Sequence, residues 1–321
     1  MWSYHDKLAV IDSTTTRGME DFHQKLFMNI FVEAFIHGNY QVEVGFRFNF
    51  KNVARLSAKL ETMFVHATAL AEAPYSRIFE VERANPLIYA IDIPNSDNLN
   101  CAIEFYLQTG KYEDKLERCK LFLLQQISHE PVFDILRTKE QLGYIVFDGI
   151  RKQTGFVGYR VVIQSERDPV YLESRIEEYL DQLHKLLSTI SHEKFEKHKS
   201  SLIMKLREKH KNLNQEAGRL WSHIQSGYFE FDQNEQDSET IAGLSLADIQ
   251  EFYDTFIKKD ASERKKFSVH LRKADSQYEN KGGNKIVTID ILESVKLKWQ
   301  LGPKPCPVKP IETFLLKRSN F

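Results

Sequence analysis

The sequence predicts an α+β protein, a mainly antiparallel sheet with helices packed on it. Three observations carry this. Apolar residues recur at helical spacing in several long stretches. Short β-prone runs bounded by turn residues lie between them, without regular βαβ alternation. Segment 133–147 combines both patterns in fifteen residues: Phe133, Leu136 and Leu142 are spaced as on a helix, Gly143 offers a left-handed stop, and Tyr144 to Phe147 is β-prone.

The elements follow in order. Residues 1 to about 30 read as short, weakly capped helices. Phe31 to Ile36 reads as a strand, with His37-Gly38-Asn39 as its turn. Asn52 to Ala71 carries Val53, Leu56, Leu60 and Phe64 at helical spacing, and Ile78 to Val81 could form a strand. A boundary is expected around residues 72 to 87, near Pro74 and Pro86. Leu87 to Ile93 and Ala102 to Leu107 read as strands around the turn at 94–97. Lys115 to Ser128 reads as a helix that Pro131 breaks, and a second helix carries Arg137. Tyr144 to Gly149 and Gly158 to Glu166 form a hairpin around a basic, glycine-containing loop. Helices are expected over 171–187, 193–211, 215–226 and 245–257, and a last strand over 267–271. Four of the nine prolines fall at 303, 305, 307 and 310, which predicts an extended strap from about residue 302.

Composition excludes little but is informative. Hydrophobic content of 42% and charged content of 28% are ordinary for a globular protein of 321 residues. The net charge of −1 points to neither nucleic acid nor membrane. No apolar run approaches the ~20 residues of a membrane-spanning helix. The start lacks a secretory pattern, and Ser319-Asn320-Phe321 is not a peroxisomal signal. Cys101, Cys119 and Cys306 cannot all pair within one chain, which favours a reducing compartment. The expected location is the cytoplasm.

The motif at 133–147 resembles the C-terminal half of the insulinase (pitrilysin) family of zinc peptidases. The resemblance also takes in 33–39, 163–166 with 171–175, and 195–198, and fades after about residue 275. It implies the family's α+β domain. Residues 1–85 would be the end of a third such domain, and 86–321 a fourth. It implies that Arg137 and Tyr144 contact substrate. A guanidinium and a phenol are suitable donors to the carbonyl oxygen on which charge develops during peptide cleavage. It further implies peptide substrates, a chamber closed by this half, and zinc in an N-terminal half joined covalently or acting in trans. An incomplete first domain would expose core-facing surface and invite association, with a second copy as one outcome.

No metal site is expected in this chain. The family's His-x-x-Glu-His motif cannot occur, since no Glu-His pair exists. His129-Glu130 and His192-Glu193 have Phe133 and Glu196 where a forward motif needs its second histidine. His192 and Glu196 share a helical face, but two ligands do not make a zinc site. The chain is therefore expected to be inactive alone. A non-catalytic peptide-binding or scaffolding subunit is the alternative.

Three further features have simpler readings. The basic stretch 194–211 could bind a polyanion through Lys209 and Lys211, which match lysines of a cationic pocket in some relatives; a solvated helix face explains it as well. Gly243-Leu244-Ser245 resembles a nucleophile elbow only faintly, and Ser245 reads better as an N-cap with Asp248 closing a capping box. At His37-Gly38-Asn39 a tight turn suffices.

Overall fold

The computed structural model describes residues 4–26, 28–30, 66–67, 78–83, 87–273 and 285–287, with single positions at 35, 37, 38, 55 and 59. Most of the strand expected at 31–36, Asn39, most of the helix expected at 52–71, and the proline-rich strap lie outside these residues; Phe35, which is described, is not in a strand. The chain forms two compact units: 1–75 with 210–222 and 310–321, and 76–209 with 223–309.

In the first unit, α1 (Tyr4–Ile11) and α2 (Thr16–Leu26) precede β1 (Asn29–Ile30). β1 pairs in parallel with β2 (His66–Ala67). Arg55 and Lys59 are helical, but His66 and Ala67 are strand, so the helix expected through Ala71 does not extend that far.

The second unit is the α+β body. Its strands are β3 (Leu87–Asp92), β4 (Cys101–Lys111), β5 (Ile145–Gln153), β6 (Phe156–Ser165), β7 (Lys266–Arg272) and β8 (Lys285–Val287). They form one sheet in the order β5-β6-β4-β7-β3-β8. The pairs from β5 to β7 are antiparallel; β3 pairs in parallel with both β7 and β8. β3 and β4 are therefore not hairpin partners across 94–97, because β7 inserts between them. The strand at 267–271 is not the last, since β8 follows. Residues 78–81 make a single bridge at Phe79 instead of a strand.

The helices of this unit are α3 (Lys115–Val132), α4 (Pro169–Thr189), α5 (His192–Leu206), α7 (Gln233–Gly243) and α8 (Leu246–Phe252), whereas α6 (Leu213–Gln225) falls mostly in the 210–222 segment of the first unit. Leu121, Leu124 and Ile127 of α3 and Leu172, Ile176 and Leu183 of α4 are buried in one core with Ile103, Phe105, Val161 and Ile163 of the sheet. Asp114 starts α3 by accepting from the Glu117 N–H, and Asp168 starts α4 by accepting from Val170. Ser245 and Asp248 form the expected capping box on α8. The sequence reading missed α7, whose apolar pattern is weak.

Two expectations about helix ends are corrected. Pro131 does not break α3; the helix continues through it and widens into a π-helical segment, Phe133–Lys139. Val132 and Leu136, on either side of the junction, are both buried in the core, so packing carries the helix past the proline. The helix expected over 193–211 stops at Leu206, so Lys209 and Lys211 lie on an exposed connection.

The face of the sheet under the helices carries polar residues at its centre. On β7, Lys266 Nζ lies 2.5 Å from Glu173 Oε1 of α4, and His270 Nε2 lies 2.7 Å from Glu173 Oε2. Glu177, one turn on, receives Arg264 Nη2 at 2.7 Å. Burial pushes the Glu173 carboxyl up, but the His270 hydrogen bond and the Lys266 charge outweigh it, and the net shift is downward. The opposite face presents Ile91, Ile145, Phe147 and Leu271, all exposed.

Since Glu173 is depressed below its ordinary value of 4.5, the stability it confers is present above that pH and is lost as pH falls through the folded value. Glu173→Gln is expected to cost about 3 kcal/mol at pH 7 and to flatten the loss of stability in acid. Urea unfolding at pH 7 and pH 4 checks this; equal acid sensitivity in both proteins would count against the clasp.

Candidate functional site

The π-helical segment, the reversal after it and the first residue before β5 build one corner. The Glu140 N–H bonds Ile135 O at 2.9 Å and the Leu142 N–H bonds Leu136 O at 3.0 Å, which closes the helix. The left-handed residue is Gln141, at φ 51°, not Gly143 as the sequence suggests. Gly143 serves a different need. A Cβ there would sit 1.9 Å from the Gln164 carbonyl oxygen, so glycine permits the chain to cross the end of β6. Ile145 then registers with Gln164.

This crossing brings Arg137 and Tyr144 together. The Arg137 guanidinium carbon lies 4.7 Å from the Phe133 ring centre and 5.3 Å from the Tyr144 ring centre. Each such contact contributes about 0.5–1 kcal/mol at an exposed site. Tyr144 is 84% exposed, far more than packing alone would leave an aromatic ring beside a core. Arg137 has no carboxylate within ion-pair distance among the described residues, whereas neighbouring Lys139 pairs with Asp134 at 2.7 Å. A guanidinium lying over rings without a carboxylate partner keeps N–H donors for a carbonyl or carboxylate oxygen.

Two attachments hold the corner. Arg175 of α4 grips Glu140 with two bonds, Nε to Oε2 at 2.7 Å and Nη2 to Oε1 at 2.8 Å. Behind the corner, the fully buried Asp148 of β5 meets the last turn of α3. Its Oδ1 lies 2.8 Å from His129 Nδ1 and accepts from Gln125 Nε2 at 3.2 Å. Its Oδ2 accepts from Ser128 Oγ, and from the Tyr159 hydroxyl at 3.3 Å. The Tyr179 hydroxyl donates to the Ser128 carbonyl at 3.1 Å. Burial first, and then the Asp148 charge, raises both phenols, which stay protonated as donors.

The remaining candidates are dispersed. Lys209 ends one stretch of the second unit, and Lys211 falls in the 210–222 segment of the first. His192 opens α5, and Glu196 pairs with Lys199 at 3.1 Å. His37 stacks on Phe35 and lies 3.4 Å from Glu216. Among the described residues no group of three or more His, Cys, Asp or Glu could hold a metal ion. The donor set does not fit zinc. Cys101 and Cys119 are buried free thiols, and burial pushes Cys119 far up, making it unreactive. The sequence reading missed Phe133, Asp148 and the Arg167–Tyr171 pair. A four-residue spacing was the available signal for two of them, within the helix for Phe133 and Arg137 and across the start of α4 for Arg167 and Tyr171.

The fold is that of pitrilysin-type peptidases. The crystal structure of pitrilysin superposes with a TM-score of 0.73 over 95% of this chain and 31% of its own, at 16% identity. Residues 123–221 match the family model for the PQQ synthase PqqF-like C-terminal lobe, domain 4. A presumed zinc protease of Schizosaccharomyces pombe, mug138, is 34% identical over 97% of this chain and 31% of its own length. Human insulin-degrading enzyme is 32% identical over 86% of this chain and 27% of its own. The chain belongs to the insulinase (pitrilysin) family. It spans under a third of the length of these relatives.

The glycine and the tyrosine should separate in a stability measurement. Gly143→Ala is expected to cost about 2 kcal/mol or more through overlap with the Gln164 carbonyl. Tyr144→Phe, at an exposed position, should change stability by less than about 0.5 kcal/mol. Denaturant unfolding of both variants decides; a stable Gly143→Ala protein would contradict the crossing geometry.

Proposed function

We propose that this chain is the part of a two-lobed peptidase that lacks the metal site, closes the chamber and presents Arg137 and Tyr144 to a peptide. The observation that carries it is the exposed Tyr144 stacked on an arginine without a carboxylate partner. The human relative is named for degrading insulin, a peptide, and the fission-yeast relative for a zinc protease. Zinc would be held by residues outside this chain, which alone would be inactive.

In this reading each residue has a defined task. The Tyr144 hydroxyl and the Arg137 N–H groups donate to carbonyl oxygens of the bound peptide and to the oxygen that becomes negative during cleavage. Phe133 keeps the guanidinium in place, so little ordering is needed when substrate arrives. The sheet face opposite the packed helices, with Ile145 and Phe147 next to Tyr144, supplies apolar surface for side chains of an extended segment.

Hydrolysis of a quenched fluorescent peptide is expected only when this chain is mixed with a separately produced zinc-bearing N-terminal half. In that mixture Tyr144→Phe should lower turnover about 10- to 1000-fold. No hydrolysis from a folded, associated mixture would overturn the reading, and unchanged turnover would remove Tyr144 from the chemistry.

A further inference from the structure

We infer that Arg167 and Tyr171 form a second subsite beside Arg137 and Tyr144, and that it binds a carboxylate of the peptide, either an acidic side chain or the free C-terminus. This rests on the peptide-binding reading above and extends it to the charge of the substrate.

The first observation is how the arginines are used. Among the described arginines of the second unit, all but two have a carboxylate within ion-pair distance. The two are Arg137 and Arg167, and both are stacked on aromatic rings instead. Arg167 lies 5.3 Å from the Tyr171 ring centre, and its Nη1 donates to the Tyr171 hydroxyl at 3.3 Å. The acidic residues next to it in sequence do not neutralise it. Asp168 accepts from the Val170 N–H at 2.8 Å as the cap of α4, and neither Glu166 nor Asp168 is within ion-pair distance of Arg167.

The second observation is position. β5 begins with Ile145 opposite Gln164, and Gly143 crosses the Gln164 carbonyl and the Ser165 Cα. Tyr144 thus stands at the end of β6, two residues from Arg167. The Arg167 N–H donates to Ser165 Oγ at 3.0 Å, which fixes the chain as it leaves the strand. Arg167 is exposed, and Tyr171 is 41% exposed. Two arginines, each backed by a ring and each with open N–H donors, flank one crossing point.

A guanidinium held on an aromatic plane keeps its planar fork available for bidentate binding, and a carboxylate matches that fork. A peptide lying across Tyr144 would place a carbonyl on Arg137 and a carboxylate on Arg167. The subsite would then select peptides by charge.

Fluorescence anisotropy with the full 321-residue chain tests this. The probes are one labelled peptide in three forms: a glutamate with an amidated end, a glutamine with a free C-terminal carboxylate, and a glutamine with an amidated end. At least one carboxylate form is expected to bind about tenfold tighter than the neutral form, and whichever gains identifies the source. Arg167→Gln should bring that form to within about twofold of the neutral peptide, Arg167→Lys should restore part of the gain, and Arg137→Gln should weaken all three. A carboxylate preference that survives Arg167→Gln, or no preference in the wild type, overturns the subsite. If Arg137→Gln weakens binding in those cases, the peptide-binding reading stands; if no form binds the wild-type chain, both fall.

Discussion

One buried carboxylate organises the second unit. Asp148 is closed off from water, and an ionised group there is tolerated only if its lone pairs are filled. Donors converge from the end of α3 and from β6, with Tyr179 of α4 bracing the Ser128 carbonyl from behind. A hydrophobic contact would let the helix slide by a fraction of a turn. A filled carboxylate does not, since any slip leaves a donor or an acceptor unpaired. The π-helical segment begins four residues after His129, and Tyr144 precedes Asp148 by four. The positions of Arg137 and Tyr144 therefore follow from this network.

The clasp of Glu173 with Lys266 and His270 does the same for α4 and β7 at the other side of the layer. The two networks set charged groups into an otherwise apolar covered face, and the opposite face mixes exposed Ile145, Phe147 and Leu271 with the Glu104–Arg151 and Glu104–Arg160 ion pairs.

The sequence was most legible where local rules decide. The helical periods of α3 to α5, the β5–β6 hairpin and the Ser245 cap depend on residues close in the chain. What escaped depends on distant partners. Nothing local places β7 between β3 and β4. Pro131 reads as a stop because its lost amide is visible and the core packing of Val132 and Leu136 beyond it is not. Gly143 was assigned a left-handed turn because the carbonyl of Gln164, which excludes any side chain, is twenty-one residues away. The Arg137–Tyr144 pair was named through resemblance; the stacking that joins them was not visible in either residue.

Gly143 and Tyr144 are neighbours under opposite kinds of constraint. At Gly143 the folded backbone itself forbids replacement, whatever the protein is used for. At Tyr144 the fold is nearly indifferent, because the ring stands in solvent. Over evolutionary time the two positions would part company in any descendant that abandoned its task. The glycine would persist as long as the chain folded, and the tyrosine would drift. The pair is thus a record, in adjacent letters, of whether a lineage has kept only its architecture or also its occupation.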